Sequence, residues 1–158
     1  MVRLPFLSGG GHQSLACLEL ALRERLKEEI SQGKISAGNN KRKPTLRPLL
    51  QYAIANGLVK NEGFSAWRNR GEINSRHRVE MERIREATEK KLDDIIWDES
   101  DIQITAEDLD WDYVKMLGDI LPLSRNEQAH GSTNLLNGAL LTIRIVSEII
   151  NQLYQPPA

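Results

Sequence analysis

An arginine and a histidine a few residues apart can work together on a phosphate ester. The segment Ser124-Arg125-Asn126-Glu127-Gln128-Ala129-His130-Gly131 sets Arg125 five positions ahead of His130, with the polar Asn126 beside the arginine. Histidine titrates near neutral pH and can take or give a proton. Arginine is permanently charged, and its planar fork matches two phosphate oxygens. Cleaving such an ester by internal attack needs a proton taken from a neighbouring hydroxyl, a proton given to the leaving oxygen, and charge stabilised on the phosphate. It requires no metal. Spacing constrains the pair. On a regular helix, positions five apart diverge by about 140°, whereas Asn126 and His130, four apart, share a face. Two arrangements reconcile this: Arg125 sits at a turn after Pro122 that redirects it, or two copies of the motif meet across a dimer and complete each other's site. In a purely structural alternative, Arg125 pairs with the acids of 98–112 and His130 caps a helix end.

Little else in the chain offers chemistry. There is no Ser/His/Asp signature, no HExxH and no phosphate loop; Gly9-Gly10-Gly11 lacks the Lys-Ser/Thr ending such a loop needs. The one cysteine, Cys17, excludes an intrachain disulfide, and no Cys/His cluster has metal-ligand spacing. Cys17 reads as a small buried hydrophobe, and its solitude suits a reducing, cytoplasmic setting. No cofactor is implied. Residues 93–112 hold nine acids and no base. This crowding reads as a helix start, with Thr105 and Asp108 forming a capping-box pattern, rather than as a metal site. Lys34, Lys41, Arg42, Lys43 and Arg47 have no acid between them. They form either a solvated loop or a phosphate-attracting patch, in which Lys41, Arg42 and Lys43 are the candidate nucleic-acid contacts. Phe64 and Trp67 read as core anchors rather than base-stacking platforms, and His77 as an ordinary exposed side chain.

The elements that must position these residues are helices. Leu15, Leu18, Leu22, Leu26 and Ile30 recur at helical steps and predict a first helix over 14–32, with Gly33 as its C-terminal cap. Thr45, Pro48 and Gly57 bracket a second, over 46–56. A short helical turn is expected near 63–70. A charged helix over 75–97 follows, with Val79, Ile84, Ala87, Leu92, Ile95 and Ile96 as a thin apolar seam. The next helix, over 106–121, packs through Leu109, Tyr113, Met116, Leu117 and Ile120 and is expected to stop at Pro122. The last, over 133–154, carries Leu136, Ala139, Leu140, Ile143, Val146, Ile150 and Leu153. That face is broad enough to be central to a bundle or part of a subunit interface. No strand is expected. The short connections favour an all-α, up-and-down bundle of four to five helices.

Composition sets outer bounds. The chain has 158 residues, 40% hydrophobic and 27% charged. That fits a single domain over 14–155 preceded by a flexible lead-in at 1–13. Its formal net charge of −1 excludes a wholly basic nucleic-acid binder, so any RNA contact must use a local patch. No apolar run approaches the roughly 20 residues needed to span a bilayer. Met1 to Leu7, broken by Pro5, is too short for a signal peptide.

The Arg125–His130 segment, placed before a C-terminal helix and followed by Gly131, resembles the signature of HEPN domains: an arginine, a polar residue, a few variable positions, then His-Gly. Leu18-Glu19-Leu20-Ala21-Leu22-Arg23 resembles that family's first helix. Leu49-Leu50-Gln51-Tyr52-Ala53-Ile54-Ala55-Asn56-Gly57-Leu58 is similar to its second helix and the following turn. The resemblance covers residues 14–154. It implies an α-helical bundle that commonly dimerises. It also implies either a metal-independent endoribonuclease of toxin–antitoxin, phage-defence or RNA-processing systems, or a non-catalytic module binding a nucleotide, RNA or protein partner. Arg125 and His130 are carried over as the catalytic pair, with Asn126 as the polar neighbour. A homodimer, an RNA substrate and an antitoxin or other regulatory protein are the partners it suggests.

Overall fold

The computed structural model of the chain describes residues 9–36, 43–92, 94, 98–129 and 136–155, of which 9, 10, 12, 101, 125–129 and 136–138 are described in backbone only. Among them every regular element is helical, with eight α-helices and two 3-10 turns and no strand. The fold class is therefore all-α, as the periodicity implies. Five helices reach ten residues or more: α1 (Gly9–Arg25), α3 (Leu46–Ala55), α5 (Arg70–Lys90), α7 (Tyr113–Ala129) and α8 (Leu136–Tyr154). The short ones are α2 (Lys27–Ser31), α4 (Ser65–Arg68) and α6 (Ala106–Leu109). None of them is long and apolar enough to cross a membrane among the described residues. The chain forms two compact units, residues 1–63 with 113–158 and residues 64–112.

The first unit is organised around α1. Leu15, Leu18, Leu22 and Leu26 follow at steps of three or four, and each is fully buried. Burying one such side chain is worth about 1.5–3 kcal/mol. α1 packs against α8, α3 and α7, whose buried apolar side chains are Ile145, Val146, Ile149 and Leu153 on α8, Leu46, Leu49, Leu50 and Ala53 on α3, and Val114, Leu117 and Leu121 on α7. Polar ties complete the α1–α8 contact: Arg25 Nε donates to the Leu153 carbonyl at 3.0 Å, and the Tyr154 hydroxyl donates to the Ala21 carbonyl at 3.2 Å. Helix ends follow local rules. Gly57 lies at φ +67, in the left-handed region open to glycine. The amide of Leu58 donates to Ala53 and that of Gly57 to Ile54, which satisfies the last carbonyls of α3. Gly33, at φ +70, closes α2 in the same way, with Lys34 donating to Glu29.

The first unit departs from expectation at several points. α1 begins at Gly9, so the triple glycine is helical rather than a lead-in. Gly11 is buried and its carbonyl accepts from the Ser14 hydroxyl at 2.8 Å; packing outweighs glycine's helix penalty of about 1 kcal/mol. Cys17 is exposed, on the side of α1 away from the leucine stripe. The expected helix over 106–121 is two helices separated at 110–112, and Pro122 lies inside α7 rather than ending it. An interior proline costs about 3 kcal/mol. Here Leu117, Gly118, Leu121 and Pro122 are all buried, so the turn that leads into the proline is held by the core.

The second unit is small and tied by charge. Along α5 only Gly71, Ser75, Val79 and Ala87 are buried. Ile84 and Leu92, assigned to its apolar seam, are exposed instead. α5 starts at Arg70, earlier than expected, and ends where Lys91 adopts φ 50. Asp108, on α6, is the polar centre. Its carboxylate accepts from the Thr105 amide at 2.8 Å, the Thr105 hydroxyl at 2.9 Å and Arg78 Nη2 at 3.0 Å, the reach-back half of the expected capping box. Asn74 Nδ2 donates to the Asp108 carbonyl at 2.9 Å. Trp67 is fixed as an anchor, with its indole N–H donating to Trp111 at 2.9 Å and the Arg70 guanidinium 3.8 Å from its ring centre. Phe64 is fully buried.

Candidate functional site

The motif sits at the junction of α7 and α8. Arg125 and Asn126 lie on helical backbone near the end of α7, which reaches Ala129. Their side chains, and His130 altogether, lie outside the described residues. The expected turn after Pro122 is absent, because α7 continues through the proline. Of the two arrangements open to the pair, redirection of Arg125 by that turn is therefore removed.

Two bonds that the sequence did not disclose hold α7 and α8 in place. Asn61 Oδ1, on the 3-10 turn Asn61–Gly63, accepts from the Val114 amide at 2.9 Å. It acts as an N-cap supplied from a distant part of the chain, satisfying one of the first-turn donors of α7. One residue earlier, the Lys60 amide donates to Gln152 Oε1 of α8 at 2.8 Å. The same turn thus fixes the start of α7 and the end of α8, the two helices that carry the motif between them. No sequence signal marks these bonds, because both join residues far apart in the chain. Tyr113, the first residue of α7, is 3% exposed. Burial, assisted by the Glu148 carboxylate, pushes its phenol above the ordinary tyrosine range.

The basic loop is partly described. Lys41 and Arg42 lie outside the described residues, whereas Lys43 is exposed. Directly after Lys43, the buried Pro44 has its carbonyl held by Arg23, whose Nε donates at 3.1 Å and Nη2 at 3.0 Å. Arg23 is itself paired with Glu19, one turn back on α1. This clamp anchors the loop where it enters α3. Thr45 takes the extended N-cap conformation, but its side chain makes no capping bond. Exposed Lys43 and Arg47 flank that helix start, which concentrates positive potential there.

Asp98, Glu99 and Asp108, among the acids of 93–112, have partners within the second unit. Asp98 accepts from the Ser100 amide at 2.9 Å, Glu99 pairs with Arg76 at 3.2 Å, and Asp108 pairs with Arg78. Arg78 and the Thr105 amide hold the Asp108 carboxyl down at about 2, well below the usual carboxylate range. The exposed His77 lines a shallow groove along α5 with Asn69, Glu72, Ile73, Arg76 and Glu80.

Compared with known proteins, the chain matches no family model, no curated protein and no solved structure.

Proposed function

We propose that the chain is a metal-independent endoribonuclease of the HEPN type that works as a homodimer. In this reading His130 moves the proton at the 2′-OH or at the leaving 5′-oxygen. Arg125 binds the scissile phosphate through two of its oxygens, with Asn126 as a polar neighbour. Attack of the 2′-oxygen on phosphorus forms the 2′,3′-cyclic phosphate as the bond to the 5′-oxygen breaks, and that oxygen leaves carrying a proton. Lys41, Arg42 and Lys43 would hold the flanking RNA backbone by charge.

One observation carries the dimer. Exposed apolar side chains gather on both helix segments that bracket the motif: Ile120 and Leu123 near the end of α7, and Leu140, Leu141 and Ile143 near the start of α8. Leu140 is 76% exposed. A second copy laid over these side chains would shield them from water and bring two motifs together. Activity in a toxin–antitoxin or defence setting, within a cytoplasmic compartment, belongs to the same proposal.

The formal net charge of −1 favours a second reading, a non-catalytic module that binds a nucleotide, RNA or a protein. Purified protein incubated with single-stranded RNA in excess chelator separates the two. Cleavage leaving cyclic-phosphate ends supports the nuclease, while RNA retained uncut on the protein supports the binding module.

A further inference from the structure

We draw no further inference here: the strongest candidate, the shallow groove along α5 lined by Asn69, Ile73, Arg76, His77 and Glu80 and continued by the exposed Met81 and Ile84, lies on one face of a single helix, and nothing in the structure shows what covers it.

Discussion

His130 and Arg125 divide the proposed chemistry between a proton carrier and a fixed charge, so their substitutions should fail differently. His130→Ala should slow RNA cleavage by about 10²- to 10⁴-fold, the usual contribution of a positioned acid–base group. Arg125→Ala should also suppress it, and Arg125→Lys should restore only part, because an ammonium cannot make the two-pronged contact. Rates measured on proteins of unchanged circular dichroism check this. Unfolding of the variants, with a wild type that never cuts, would assign the pair a structural role. Asp108 makes a different prediction. Its carboxyl is held at about 2 against an ordinary value of 3.8, so the folded state binds fewer protons there than the unfolded chain. Its stabilising effect is therefore fully present above about pH 4 and fades as the pH falls toward 2. Asp108→Asn should flatten the dependence of unfolding on acidity in that window, and equal slopes for variant and wild type would refute the assignment. At this scale the sequence is legible only where neighbours in the chain are neighbours in space. Thr105 and Asp108 could be paired on spacing alone. Arg78 as the partner of Asp108, or Arg23 as the clamp on Pro44, could not.

Helices were the most legible feature, because burial on one side writes a period of three and four into the chain. The leucines at 15, 18, 22 and 26 mark α1 without ambiguity, and all are buried. Glycine also announced the ends of α2 and α3, at 33 and 57, both with positive φ. Breaks were harder. At 110–112 the apolar spacing runs on although the helix does not, and at Pro122 the helix runs on although a local rule would stop it. In both places contacts made by the folded chain override the local preference. Asn61 shows how such contacts act on a whole element. Asn61→Ala would leave the Val114 amide without its cap, and a lost N-cap costs about 0.5–2 kcal/mol. Chemical denaturation should show a lower midpoint with an unchanged slope, and faster amide exchange confined to the first turn of α7. An unchanged midpoint would mean that solvent serves that amide equally well.

At the scale of the whole molecule, the described residues leave apolar side chains exposed at the ends of α7 and α8 that flank the motif. Light scattering at tens of micromolar, an order-of-magnitude choice suited to ordinary interfaces, should report a dimer. Leu140→Asp should yield a folded monomer, since a side chain already 76% exposed has little to lose within its own protomer. If the site is shared, that monomer should also be inactive. A wild-type monomer, or a monomeric variant with full activity, would dissolve the link between assembly and chemistry. The bond between Asn61 and Val114 has another consequence. The chain leaves the first unit just after Asn61 and returns just before Val114, and a hydrogen bond of 2.9 Å spans that doorway. Residues 64–112 are thus spliced in at a point where the two cut edges nearly touch, the arrangement in which insertions are gained or lost with least disturbance. Joining Gly63 to Tyr113 through roughly three to five linker residues, at about 3.3–3.6 Å of reach each, should give a shortened gene product whose helices still melt cooperatively. Collapse of that product into an aggregate would show the spliced segment to be a keystone rather than a passenger.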